Sequence, residues 1–337
     1  MIDTCKPIVT MTKSIERVLR AAQTHPTPSV KVYGNHFFLP HPFGFQAIRV
    51  NFSLPKRLFW FETSLPKMLQ GHNVFGSNHL ERLCLAAIKL IYEHLKVRFS
   101  DEEARRILDA RIRLGRLDIT CSFRLKSPSM IDQVLEHLYE QFRAEGKAWA
   151  AYGKDSIETV YNQQGSTRVT DKYYNKGKEL AQPGRGLPRT LANRQRILSI
   201  AEYLLRFEAT YREKELRELG LNFADCWNTS QVRAELELRM HSHHLRGALS
   251  QTIPVAELHE LAPNYSTFYG LWTDGANLAK YRQYRTLRRA RQHIIEHHRV
   301  DIFRRPKTGC SISLSELLNS SRALYGSPRW AMNKHET

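Results

Sequence analysis

Between Gly115 and Leu125 the chain reads GRLDITCSFRL, and Leu117, Ile119, Cys121 and Phe123 alternate there with Arg116, Asp118, Thr120 and Ser122. A period of two sends successive side chains to opposite faces of a strand. Such a strand needs a sheet with one apolar face to cover and one polar face left for other work. Covering segments are close by. The aromatic run RLFWFET, residues 57–63, reads as a strand; the helical period after it places Leu80, Leu83, Ala87, Ile88, Ile91 and Leu95 on one face. After Pro128, Ile131, Val134, Leu135, Leu138 and Phe142 recur at helical spacing, so strand followed by helix occurs twice.

Ser100 with Glu103 forms a capping-box pattern before a short helix. ETVYNQQGSTRVTDKYYNK reads as a hairpin turning near Gln164 and Gly165, AQPGRGLPR as a Pro/Gly loop, and YLLRFEATYR as another strand after a helix from about Thr190. These elements predict an α+β fold with a mainly antiparallel sheet and flanking helices over residues 1–245, followed by a helical, basic C-terminal region over 246–337. The segment from Lys280 to Arg305 reads as a basic helix pair, with nine Lys and Arg against two acids.

Charge points to the partner. The chain has 51 Lys and Arg against 33 Asp and Glu, a formal net charge of +18, which fits a polyanion and first of all nucleic acid. Five cysteines, widely separated and without CxxC or finger spacing, fit a reducing compartment. The absence of an apolar run near the roughly 20 residues that span a bilayer, and of a signal-peptide core, leads to an expectation of a cytoplasmic protein without membrane contact.

Several residues could carry chemistry. In DKYYNKGKEL, a continued strand would point Tyr174 and Lys176 the same way, with Lys172 on that face too. A phenol with an ordinary pKa of about 10 needs a neighbouring cation, base or polarised target to act as a nucleophile. From spacing alone, Tyr173 and Tyr174 are better explained as ordinary strand residues. Glu62, Asp118 and Glu208 are acids on strands expected to share a sheet, and together they make a site for Mg²⁺ or Mn²⁺ credible. Pairing with Arg116 and Arg206 is the plainer account of any one of them. His72, in a Gly-punctuated loop, would bring an imidazole to the same ion, whereas His241 and His243 read as solvated. Arg282, Arg285 and Arg289, with Arg288 adjacent, form a helical stripe able to follow a phosphate backbone, with Leu278, Tyr281 and Leu287 packing behind it.

KMLQGHNVFG, GRLDITCSFR, KYYNKGKEL and LLRFEATYR, in this order, resemble the filamentous-phage gene II/gene X replication initiator family, related to the HUH-type rolling-circle endonucleases. The similarity runs from about Glu62 to Leu221. It implies an origin-specific nicking and rejoining enzyme of a single-stranded DNA phage, working in the bacterial host cytoplasm through a 5′-phosphotyrosine and a divalent metal. The family's nucleophile falls on Tyr174. Lys176 would orient the phosphate or assist the leaving oxygen, and Glu179 matches the family's glutamate, although in an unbroken strand it would point away unless Gly177 formed a bulge. The superfamily's His-hydrophobic-His motif is absent from the chain, so Asp118, Glu62 and His72 stand in as expected metal ligands. Implied partners are double-stranded origin DNA, the displaced single strand, and a host helicase, polymerase and single-strand-binding protein. The alternative is a non-catalytic DNA-binding regulator using the basic C-terminal helices; an RNA-binding protein would need an aromatic pattern that the chain lacks.

Overall fold

The computed structural model describes residues 1–24, 32–144, 146, 148–152, 157–245, 259–274, 276–281, 283–298, 300–303 and 314–325. They fall into two units, one holding residues 1–244 and the described part of 320–337, the other the described part of 245–319. The sequence boundary at 245/246 therefore needs one correction. Residues 320–325 belong to the first unit, where Leu324 bridges to Ser122.

In the first unit the strands are β1 (Ile2–Thr10), β2 (Val32–Tyr33), β3 (His36–Leu39), β4 (Ile48–Ser53), β5 (Leu58–Phe61), β6 (Thr63–Ser64), β7 (Arg113–Arg124), β8 (Ala148–Tyr152), β9 (Ile157–Asn162), β10 (Val169–Asn175) and β11 (Leu204–Arg212). Among the described residues they form one sheet in the order β2-β3-β4-β5-β1-β7-β11-β10-β9-β8, with β6 beside β1. The pairings between these strands are antiparallel. The helices are α1 (Lys13–Thr24), α2 (Leu65–Gln70), α3 (Leu80–His94), α4 (Asp101–Asp109), α5 (Pro128–Ala144), α6 (Lys176–Ala181), α7 (Arg194–Ala201), α8 (Glu213–Glu218) and α9 (Thr229–Ser242).

The alternation in β7 holds, but its polar side is not open to water. Leu117 to Phe123 are buried on both faces. The apolar face packs under helices: Tyr173 of β10 lies 6.2 Å from Phe142 of α5 between ring centres, and Cys121 of β7 lies 4.0 Å from the Met240 sulfur of α9. The polar face is roofed by the loop after α2 and by α6 and α7, which share a small core of Val74, Phe75, Leu180, Leu187, Ile197, Ala201 and Leu204. Polar groups held there must find partners or bear a large desolvation cost.

Local signals behave as their chemistry requires. Ser100 caps α4 by accepting from Glu103 N at 3.3 Å, but the Glu103 carboxylate turns to Ser14 and Tyr92 instead of closing the box. The strand carrying Tyr174 stops at Asn175, whose side chain accepts from Lys178 N at 3.1 Å and starts α6. Lys176 is therefore the first residue of a helix. No bulge at Gly177 is needed to bring Glu179 round.

The second unit contains α10 (Pro263–Thr273), α11 (Arg285–His298) and α12 (Leu314–Leu317), with Tyr269, Trp272, Leu278, Leu287, Ala290 and Ile294 in its core. The basic helix pair expected over Lys280 to Arg305 is not found: among the described residues that segment holds one helix, α11, after a short 3-10 turn at Leu278–Tyr281, and the helix packed on α11 is α10, which precedes the segment. Arg285, Arg288 and Arg289 are exposed on α11 while Arg282 lies outside the described residues. Leu278 and Leu287 are buried as expected, but Tyr281 is 51% exposed. Among the described residues no helix is long and apolar enough to cross a membrane.

Gly177 sits where α6 passes the end of α7, and a Cβ there would lie 2.8 Å from the Glu202 Cα. Helix propensity favours Ala over Gly by about 1 kcal/mol, but a collision with backbone costs about 1–3 kcal/mol. Gly177→Ala is expected to lower the midpoint of thermal unfolding by several degrees; an unchanged or raised midpoint would show that the two segments separate freely.

Candidate active site

Cross-strand register assembles the site in rows on the polar face. Tyr174 lies opposite Arg206, which lies opposite Ser122; Lys172, Glu208 and Thr120 form the next row, and Thr170, Thr210 and Asp118 the one after. Directly opposed residues share a face.

Tyr174 is 5% exposed and its Oη donates to Glu208 Oε2 at 3.1 Å. The Lys172 ammonium lies 2.8 Å from Glu208 Oε1 and 5.1 Å from the Tyr174 ring centre, and the Lys176 ammonium lies 5.8 Å from that ring. Burial, then the charge of Glu208, pushes the Tyr174 phenol well above its ordinary pKa. Burial also opposes the charge on Lys172, but Glu208 prevails and holds it up at about 12. The phenol is protonated at rest, with an acceptor already bound to its proton and two cations beside its ring.

A second cluster adjoins it. The Lys176 ammonium is fully buried and donates to Asn73 Oδ1 at 2.8 Å and Glu179 Oε2 at 2.6 Å. Asn73 Nδ2 in turn donates to Asp3 Oδ2 at 2.9 Å. Burial, with Arg206 nearby, lowers Lys176 to about 8. Glu179 moves the other way: burial works against its charge, yet Lys176 and Lys67 bring it down to about 2. Above this cluster Arg206, 1% exposed, donates to Ser122 Oγ at 3.1 Å and to the main-chain carbonyls of Asn73 and Val74. It does not pair with Glu208 as the sequence suggested.

The three expected metal ligands are not brought together. Arg116 takes both oxygens of Asp118 at 2.8 Å and reaches Glu62 Oε1 at 2.7 Å, and Glu62 is 44% exposed. His72 instead faces Gln70 and Phe75, and burial followed by Lys176 and Arg206 lowers it to about 4. Among the described residues no group of three or more His, Cys, Asp or Glu side chains is arranged to hold a metal ion. The acids that do converge are Asp118 and Glu208. Burial and then the charge of Glu208 push Asp118 up to about 7, against the pull of Arg116.

Tyr173 lies on the other face. Its Oη is 2.9 Å from His243 Nδ1, His243 Nε2 is 2.9 Å from Asp171 Oδ2, and Arg239 closes the chain on Asp171. His243 is 3% exposed and so is not the solvated residue expected, whereas His241 is exposed. Asn73, Asp3 and Asp171 were not singled out in the sequence; only the GHN triplet marked one of them.

The fold and site define a one-sheet α+β protein whose buried polar face joins a tyrosine, two lysines and two acids. Residues 45–230 match the family described as the N-terminal part of a phage replication-associated protein, the Phage CRI family, and the chain belongs to that family. It is 32% identical over 167 residues to a replication-associated protein of Enterobacteria phage I2-2, an alignment covering 48% of this chain and 46% of that protein. The chain thus matches about half the length of that relative. A solved rolling circle replication initiator protein from Geobacillus stearothermophilus is similar over 67% of this chain and 78% of its own, at 11% identity and a TM-score of 0.30, too loose a likeness to carry an argument.

The raised pKa of Asp118 has a stability consequence. The folded chain keeps a proton that the unfolded chain releases near 3.8, so stability falls as pH rises from about 4 to about 7. Asp118→Asn removes that titration. Its melting temperature relative to the unaltered chain is expected to be higher at pH 8 than at pH 5; a difference independent of pH would mean that Arg116 fully offsets the Asp118 charge.

Proposed function

We propose that the chain starts rolling-circle replication of a single-stranded DNA phage by nicking and later rejoining origin DNA through Tyr174. The observation that carries this reading is the Tyr174 hydroxyl donating to Glu208 with Lys172 and Lys176 beside the ring. Glu208 takes the phenol proton as the oxygen attacks phosphorus. A tyrosine–phosphate bond forms to the 5′ side while the bond to the 3′ oxygen breaks, and that oxygen leaves as a hydroxyl once protonated. Lys176, lowered to about 8, is the group suited to hold the phosphate or supply that proton near neutral pH. The reverse transfer closes the displaced strand. Because Tyr174 is 5% exposed, the segments over the polar face must part before a phosphate reaches it.

Asp118 and Glu208 are the two acids that would hold a hard divalent cation, which would have to displace Arg116 and Lys172 as their partners; Mg²⁺ commonly takes one or two carboxylates plus phosphate oxygens. Such an ion, Mg²⁺ or Mn²⁺, would polarise the phosphate and stabilise developing charge. Glu62 is an outlying member through Arg116. The wider assembly would include origin duplex, the displaced strand and host replication proteins.

Tyr174→Phe removes only the attacking oxygen. With Mg²⁺ and a supercoiled origin plasmid, this variant is expected to bind but to yield no relaxed circle and no covalent protein–DNA adduct, while Tyr173→Phe nicks. The reverse result would transfer the role to Tyr173. Nicking by both variants would place the nucleophile elsewhere, and binding without nicking by the unaltered chain would leave the regulator reading.

Arg285, Arg288 and Arg289 of α11 serve as phosphate contacts in this reading. Replacing all three by Ala should weaken duplex binding and lower the slope of log K against log salt by roughly 0.9 per lost contact. Cleavage of a single-stranded oligonucleotide should persist. An unchanged slope would show that these side chains only face solvent.

A further inference from the structure

The polar face does not end at Asp118. Beyond Arg116 it continues across β1, β5, β4, β3 and β2, where a row of directly opposed residues runs Tyr33, His36, Asn51, Trp60, Ile8 and Arg113. Lys6, opposite Arg116, belongs to the same face, and the irregularity in pairing after Lys6 keeps Ile8 and Arg113 on it. The opposite sides of these strands hold Phe37, Val50, Phe59 and Phe61, all fully buried. The row itself is therefore the outward side of a formed sheet.

Its outer end is aromatic and open. Tyr33 is 53% and Phe38 45% exposed, with His36 between them: the Tyr33 and His36 rings stack at 5.9 Å and the His36 and Phe38 rings meet edge-on at 5.5 Å. Arg49, opposite Phe38, reaches His36 Nδ1 at 3.3 Å. Towards β7 the face deepens into a cleft of about 770 Å³ lined by Lys6, Lys56, Trp60 and Arg113, among others. Among the described residues no acid lines the cleft, and residues 32–61 contain neither Asp nor Glu.

Cross-strand stacking alone would explain rings packed on one another. It does not explain rings left half exposed along a sheet face whose nearest acid, Glu62, is held by Arg116 and which ends in lysines and arginines. Exposed aromatic faces beside cations are what unpaired bases and their phosphates require, whereas a duplex keeps its base faces stacked inside. We infer that the β2–β5 lobe is a stacking platform for single-stranded DNA, with Tyr33, Phe38 and Trp60 under the bases and Lys6, Arg49, Lys56 and Arg113 along the phosphates. The platform lies nine residues along β7 from the level of Tyr174, Arg113 against Ser122, or roughly 30 Å. It would hold a flank of the strand, away from the bond that breaks. Tyr33, His36 and Phe38 precede the family match, which starts at residue 45. The inference rests on the DNA reading above but not on the tyrosine chemistry.

The test uses the full chain and a fluorescein-labelled twenty-nucleotide oligo-dT, with anisotropy read in EDTA so that cleavage plays no part. Tyr33→Ala with Phe38→Ala alters only exposed rings and should weaken binding by about five-fold or more per ring without changing the salt slope. Lys56→Ala should lower the slope by roughly 0.7. Tyr174→Phe should bind as the unaltered chain does. If the unaltered chain fails to bind oligo-dT, the DNA reading itself falls. Unchanged oligo-dT affinity in the double-ring variant overturns the platform, as does an equal loss of affinity for a duplex of the same length. If light scattering shows a dimer that this variant breaks while oligo-dT binding is kept, the face belongs to a second copy and the platform is overturned.

Discussion

The guanidinium of Arg206 is the contact on which the polar face depends. It sits in a central strand, 1% exposed, and a charge so placed is tolerated only when its donors are satisfied. Three separate groups do this: the Ser122 hydroxyl on the neighbouring strand and the carbonyls of Asn73 and Val74 in the loop above. The planar fork of arginine can bridge strand and loop at once, which a lysine's single point of charge does not. Held from below, the loop presents Asn73 between Lys176 and Asp3. One buried cation thereby fixes the roof over the sheet and places a second buried cation beside Tyr174.

Two adjacent tyrosines show how far the face of a strand decides chemistry. Tyr173 and Tyr174 are both buried and both pushed well above the ordinary phenol pKa, first by burial. Tyr173 faces His243, Asp171 and Arg239 under α5 and α9, a closed chain of partners that ties a helix end to the sheet. Tyr174 faces Glu208 and two ammonium groups, where loss of its proton would be compensated. Identical side chains one residue apart thus meet a closed hydrogen-bonded chain on one face and a cluster of opposite charges on the other.

The sheet's polar face also changes character along its length. Near Tyr174 it is roofed, and its charges are matched in pairs: Lys172 with Glu208, Lys176 with Glu179, Arg116 with Asp118. Towards β2, Tyr33 and Phe38 are half exposed, acids disappear from residues 32–61, and aromatic rings take their place. A buried, charge-paired region suits chemistry on one bond, while an open aromatic one suits holding a flexible polyanion.

The sequence by itself determined the alternation in β7, the helices that cover its apolar side, the hairpin to β10, and the family resemblance centred on GHN, KYYNK and RFE. Period-two patterning gave the faces of Lys172, Tyr174 and Glu208, because face follows from position along a strand. Only the tertiary structure decided that β10 stops at Asn175 so that Lys176 and Glu179 meet on one helical turn. It also sent Arg206 to the loop instead of to Glu208, drew Asp118 and Glu62 to Arg116, turned His72 away, and buried His243 beneath Tyr173. The physical reason is that periodicity encodes which side a residue faces, whereas its partner comes from segments 70 to 133 residues away, as in the contacts of Tyr173 with His243 and of Arg206 with Asn73.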